Sequence, residues 1–286
     1  MKSDTQMKNN SKPKYARKKK LSKKSRARLR RIRRFILVIL VFTGIVLFAR
    51  SSLFTVDKII VTGNQKYSSN DIIQHTGFAT GRNVFDMLGE KPKNLLSFRF
   101  IDREQDVYKA MPYIGSVSIR PLLPDSIRIR VQERIPFAIL EANGTSTLID
   151  REGYALEKIE DTGQKSKYFK IMGILVDSVK PGEAVKFKGV NPLIDLTGFC
   201  DALIKDDNDE KSKVKLYGKI SSIDLSDSNG TLVEFDRRIT VKFGDPENVD
   251  YEIRFFKQLF VNNITANQKG TLDFTKSSNP YFVPKK

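Results

Sequence analysis

Residues 35–49 read FILVILVFTGIVLFA, fifteen positions without a charge between Arg34 and Arg50. No polar stripe marks any helical face of this run, which argues against an ordinary amphipathic helix packed on a soluble core. At helical rise it covers about 22 Å of a hydrocarbon layer about 30 Å thick, which is short. The span lengthens if the helix starts at Ile32, or if Arg50 reaches outward while residues 51–56 continue it. A cleaved signal peptide is the main rival, because the apolar length suits one. Against it, Ala49-Arg50-Ser51 is a poor small-x-small cleavage site, and the 34-residue leader exceeds what a signal peptide needs. The expectation is an uncleaved anchor over residues 35–53.

Charge sets its direction. Residues 1–34 hold 16 Lys/Arg and one acid, Asp4, whereas the other 252 residues carry 35 Lys/Arg and 32 acids. The net charge of +18 is therefore almost entirely a property of the tail. Cationic flanks stay on the cytoplasmic side of a membrane, so the tail is expected inside and the remainder exported. Anionic membrane lipid is the expected partner of the tail, at about 1 kcal/mol per basic residue near the surface. Specific nucleic-acid binding is not expected, since Tyr15 is the one ring available there for base stacking.

The exported part opens on short alternating elements. Val56 to Thr62 is β-branched and closes on Gly63-Asn64, a turn pair. Ser68 or Ser69 is placed to cap a short helix that Gly77 stops. Asn94 is placed to cap a second helix toward Met111, with Leu95, Phe98, Ile101 and Tyr108 near helical spacing. A strand over residues 117–120, a turn over PLLPD (residues 121–125) and a strand over residues 126–133 follow. In that last strand Ile127, Ile129 and Val131 alternate with Arg128, Arg130 and Gln132, one set inward and the other outward. The order is β-α-α-β-β, a three-stranded sheet with two helices on one face.

The strings FTVDKIIVTGN, GRNVF (residues 81–85) and PDSIRIRVQERIPFAIL (residues 124–140), placed after a basic tail and one anchor, resemble the bacterial cell-division family FtsQ, also called DivIB. The resemblance runs over nearly the whole chain, and its most diagnostic piece is Glu133-Arg134 before Pro136. It implies a POTRA domain over residues 54–134 and an FtsQ-type β domain over residues 135–282, with a short tail at 283–286. Glu133 and Arg134 read either as a hinge pair between the modules or as a solvated ion pair worth at most about 1 kcal/mol.

The second module reads as mostly antiparallel strand with flanking helices, so the fold class is α+β. Asn143-Gly144 and Asn229-Gly230 are hairpin signals. A helix from Pro192 places Leu193, Leu196, Cys200 and Leu203 on one face, and a helix starting near Glu247 places Val249, Ile253, Phe256 and Phe260 inward. The closing strand is expected over residues 271–275.

Chemistry finds few candidates. One histidine, His75, and one cysteine, Cys200, permit neither a disulfide framework nor a Cys/His zinc site, and they are expected as a surface residue and a buried apolar one. Asp206-Asp207-Asn208-Asp209-Glu210 lacks the glycine and the distal glutamate of a calcium loop, so it reads as solvated. No catalytic residue, cofactor, metal or small-molecule substrate is expected, and the chain is read as a non-enzyme.

Interaction remains. A closing strand exposes unpaired N–H and C=O groups to which a partner can add a strand. The family resemblance implies that this strand and the nearby helix bind coiled-coil division proteins like FtsB (DivIC) and FtsL. By position it assigns Thr271, Leu272, Asp273, Phe274, Thr275, Lys276 and Ser278 to the contact, with Tyr281 and Phe282 as aromatic anchors. Thr275 and Lys276 stand where some family members carry Arg and Tyr. The reading is a single-pass scaffold of the division septum. The alternative is an envelope-anchored POTRA chaperone or wall-polymer-binding module.

Overall fold

The computed structural model describes residues 23–160, 167–209, 214–244, 246–277 and 279–285, without the side chains of residues 23–27 and 246. Expectations for residues 1–22 and for Ser278 lie outside the described residues. The chain divides into two compact units, Met1–Phe54 and Thr55–Lys286.

The first unit holds α1 (Lys23–Ala49) and a single 3-10 turn, Ser52–Phe54. The helix begins well before Ile32, so the span lengthens at its N-terminal end; it stops at Ala49, and residues 51–56 do not continue it. Its stretch Arg28–Ala49, 22 residues, is long and apolar enough to cross a membrane. Leu37, Leu40, Phe42 and Leu47 are all exposed.

The second unit begins with β1 (Lys58–Thr62), α2 (Ser69–Thr76), α3 (Val84–Gly89), α4 (Pro92–Ser97), α5 (Ile101–Ala110), β2 (Ile114–Leu122) and β3 (Ser126–Glu133). The sheet order is β1-β3-β2, with β1 parallel and β2 antiparallel to β3. Ile127, Ile129 and Val131 are buried against Ile72, Leu88, Phe100 and Val107 of the helices, while Arg128, Arg130 and Gln132 face out. Each such aliphatic side chain contributes about 1.5–3 kcal/mol on burial. Ser68 caps α2 in a full capping box with Asp71, and Gly77 closes it in the left-handed region at φ 65°.

Two helical expectations are corrected. Asn83 caps α3 through hydrogen bonds from the N–H groups of Phe85 and Asp86, an element absent from the two-helix reading. The expected helix from Asn94 to Met111 is broken at Phe98, whose φ is 52°. Asn94 is no cap for α4. It is buried, and its Oδ1 accepts a 3.1 Å bond from the Ile101 N–H, which closes the start of α5 instead.

The remaining strands are β4 (Ala138–Ala142), β5 (Thr145–Ile149), β6 (Ala155–Lys158), β7 (Lys170–Met172), β8 (Val176–Ser178), β9 (Lys186–Phe187), β10 (Ile220–Asp224), β11 (Thr231–Phe235), β12 (Ile239–Phe243), β13 (Gly270–Asp273) and β14 (Val283–Pro284). Among the described residues nine of them form one sheet, ordered β14-β13-β12-β11-β10-β7-β4-β5-β6, with mostly antiparallel pairing. Helices α6 (Leu193–Asp207) and α7 (Val249–Asn262) bury Leu196, Cys200, Leu203, Ile253, Phe256 and Phe260 against the inward set Ile223, Val233, Phe235, Val241 and Leu272.

Hairpin signals divide unevenly. Asn143 and Gly144 both take positive φ (51° and 73°) in the two-residue turn between β4 and β5. Asn229-Gly230 does not make a tight hairpin, because six residues separate β10 from β11. The tight turn falls at Asp236-Arg237, with φ of 51° and 57°, where no glycine advertised it.

Candidate partner-binding edge

β13 lies parallel to β12, with Thr271 opposite Thr240 and Asp273 opposite Lys242. The N–H groups of Gly270 and Phe274 donate to the carbonyls of Arg238 (3.1 Å) and Lys242 (3.0 Å). Strand alternation therefore turns Thr271 and Asp273 toward the opposite edge. That edge is not bare, as the sequence had implied for a closing strand. β14 folds back antiparallel and pairs Val283 with Thr271 and Pro284 with Gly270. Gly270 has to be glycine here, since a Cβ would meet the Val283 carbonyl at 2.3 Å. Asp273 lies beyond the pairing with β14.

The strand ends at Asp273 by a local device. Asp273 Oδ1 accepts the Thr275 N–H at 3.0 Å and the Thr275 hydroxyl, and Lys276 Nζ lies 3.4 Å from Oδ2. Burial pushes the Asp273 carboxyl up, but these hydrogen bonds and the ammonium outweigh it, leaving its pKa below the ordinary value. The loop entering β13 is held in turn by Arg238, which donates to the carbonyls of Thr265 and Gln268.

The sequence-assigned residues separate by side. Leu272 and Phe274 are buried; Phe274 stacks on Phe243 and meets Phe255 edge-on at 5.8 Å. Phe282 is half-buried against the same core. Thr271, Thr275, Lys276 and Tyr281 are exposed, and Asp273 is partly so. Beside Phe274 and Thr275 opens a hollow of about 410 Å³, lined also by Asn229, Gly244, Asn248, Tyr251 and Glu252. Tyr251 donates its hydroxyl to Asn279, tying the start of α7 to the segment that follows β13. Tyr251 and Asn248 were not assigned from the sequence, where they read only as part of a helix start.

Residues 54–134 match the family model described as "POTRA domain, FtsQ-type". The chain is 22% identical to Cell division protein DivIB of Clostridium acetobutylicum over 240 residues, covering 80% of this chain and 82% of that protein. It is 24% identical to Cell division protein DivIB of Clostridium tetani, covering 85% and 84%. It is 24% identical to Cell division protein FtsQ of Syntrophotalea carbinolica, covering 66% of this chain and 58% of that protein. Residues 54–134 are thus an FtsQ-type POTRA domain, and over most of its length the chain is similar to cell division proteins of the DivIB and FtsQ type.

Glu133 and Arg134 are not a solvated ion pair with each other, which corrects that sequence reading; each turns to a different partner. The Glu133 carboxylate accepts the N–H groups of Gln65, Lys66 and Tyr67 at 2.9, 2.7 and 3.1 Å, fixing the loop between β1 and α2. Arg134 points the other way. Its guanidinium donates to Asp150 (2.6 Å) and to the Tyr108 hydroxyl (3.2 Å), and lies 3.8 Å from the centre of the Tyr154 ring. Tyr113 completes the junction, donating its hydroxyl to Glu157 at 2.7 Å and packing with Ile139, Leu148 and Leu156.

The chemical candidates find structural places. His75 is exposed on α2, 2.8 Å from the Asp71 carbonyl. Cys200 is fully buried, and burial pushes its thiol up to about 12. Asp206 and Asp207 are not a solvated loop: they close on Lys257 at 2.5 and 2.8 Å, and Asp207 accepts the N–H groups of Leu216 and Tyr217. Among the described residues no group of three or more His, Cys, Asp or Glu is placed to hold a metal.

Proposed function

We propose that this chain is a non-enzymatic, single-pass division scaffold of the FtsQ/DivIB type, with a cytoplasmic tail and an exported C-terminal part. Its task is to gather partners like FtsB/DivIC and FtsL at the septum and so control septal peptidoglycan synthesis. The basic excess before α1 supports the direction of insertion. The observation that carries the partner site is the edge of β13, where pairing with β14 stops at Thr271 and a hollow opens beside Phe274 and Thr275. An extended partner segment continues the sheet past Asp273, with Thr271, Thr275, Lys276 and Tyr281 offering side chains around it. Leu272, Phe274 and Phe282 shape the edge from the core side.

Photocrosslinkers placed singly at Thr271, Thr275, Lys276 and Tyr281 in dividing cells test this. Adducts with small coiled-coil division proteins are expected, together with a midcell signal from a fluorescent fusion. Crosslinks confined to other surfaces, with diffuse envelope fluorescence, would favour the POTRA chaperone or wall-polymer reading instead. Insertion is tested by exchanging most of the basic residues between Arg26 and Arg34 for Glu, which should disturb protease protection of the tail.

A further inference from the structure

The outer face of the three-stranded sheet carries a charge arrangement that folding does not explain. Arg120 on β2 stands directly opposite Arg128 on β3, and Arg130 follows two residues along on the same face. Like charges set opposite across a strand pair oppose pairing. All three are exposed, and among the described residues no carboxylate lies within ion-pair distance of any of them. Together with Ser118, Pro121 and Leu122 they line a hollow of about 350 Å³.

The same face offers apolar contact and a fourth cation. On β1, Ile60 sits beside Arg128 and is 39% exposed, and Lys58 begins the strand opposite Ser126. Leu123, 44% exposed, stands at the turn after β2, at the end of the sheet where β1 starts. That end is tethered. Only nine residue steps separate Ala49, the last residue of α1, from Lys58, a reach of at most about 30 Å even if fully extended.

We propose that this face docks on the anionic phospholipid headgroups of the membrane that holds α1. Guanidinium groups donate in pairs to phosphate oxygens, and aliphatic neighbours suit the headgroup boundary. The short tether favours lipid over a soluble polyanion, because it holds the face near one membrane surface at high effective concentration. The site is separate from the basic tail, on the opposite side of the span, and it rests on the reading of α1 as a span.

The test uses the full chain in nanodiscs of phosphatidylcholine, with or without phosphatidylglycerol. A fluorophore at Ser118→Cys reports proximity to headgroup-quencher lipid; Cys200 is buried and stays unlabelled. At low salt, quenching at least twofold stronger in the anionic discs is expected, with loss of the difference at high ionic strength. The variant R120Q/R128Q/R130Q should lose it too, while its melting temperature stays unchanged or rises. Should that variant fold poorly, R128Q alone should lose part of the difference. Equal quenching in both discs, or a difference that survives the glutamines, would overturn docking while leaving the span intact. Release of the label from anionic discs by soluble polyphosphate at physiological salt would assign the face to a polymer and overturn it likewise. A chain that fails to enter the discs would remove the span reading and the docking together.

Discussion

Arg134 and Asp150 meet at 2.6 Å across the junction between the POTRA domain and the β domain, with the carboxylate side chain only 2% exposed. Asp150 spends its other oxygen on the Tyr154 N–H at 2.7 Å, so it is already fixed when the guanidinium arrives. A buried pair broken from one side leaves an uncompensated charge, which costs about 3–5 kcal/mol. Arg134→Met is expected near the lower end of that range, since the arginine retains some exposure. Asp150→Asn keeps the Tyr154 contact and should cost less. In a double-mutant cycle read by denaturant unfolding, a coupling of about 1–3 kcal/mol is expected, and additive costs would refute the clamp.

Phe274 was assigned from the sequence as a partner contact, yet its ring lies between Phe243 and Phe255. Truncating a buried phenylalanine costs about 3–5 kcal/mol. Phe274→Ala is therefore expected to lower the urea midpoint strongly, and Phe274→Asp to unfold the sheet end rather than merely weaken binding. Thr275→Val, on the exposed side, should change stability by less than about 1 kcal/mol. A stable Phe274→Asp protein that loses only its partners would contradict this placement.

What the sequence disclosed followed from periodicity and burial. The alternation from Ile127 to Val131 and the helical spacing of Leu196, Cys200 and Leu203 are core patterns, and the structure buries each of them. What it concealed depended on long-range partners. Glu133 and Arg134 are neighbours that look like an ion pair, and only folding brings Gln65 to one and Asp150 to the other. The turn at Asp236-Arg237 is imposed by the pairing of Phe235 with Ile239, not by turn residues. β14 is two residues long and contains a proline, so no strand pattern announces that it covers Thr271.

Cys200 makes a reporter of opening. The thiolate is the reactive form, and burial among Leu196, Leu203 and the sheet pushes its pKa up to about 12. Thiol reagents at pH 8 should therefore modify the folded chain at least about a hundredfold more slowly than the urea-unfolded chain. Modification that is equally fast in both states would place Cys200 outside the core.

Asp273 governs how far the β13 edge runs, because its carboxylate occupies the Thr275 N–H that would otherwise face a partner strand. Its folded pKa lies below the unfolded value, so this contribution is complete above the ordinary carboxylate value of about 3.9 and is lost as pH falls through the lower folded value. The turn is thus expected to hold at neutral and mildly acidic pH and to release only in stronger acid. An NMR titration of the Asp273 carboxyl should give a midpoint below about 3.9, and Asp273→Asn should abolish the step while keeping the acceptor. Asp273→Ala frees the Thr275 N–H, extending the open edge and raising affinity for an added strand or for a second copy of the chain. A midpoint at or above the ordinary value, or an alanine variant with unchanged association, would show that the edge ends for some reason other than this carboxylate.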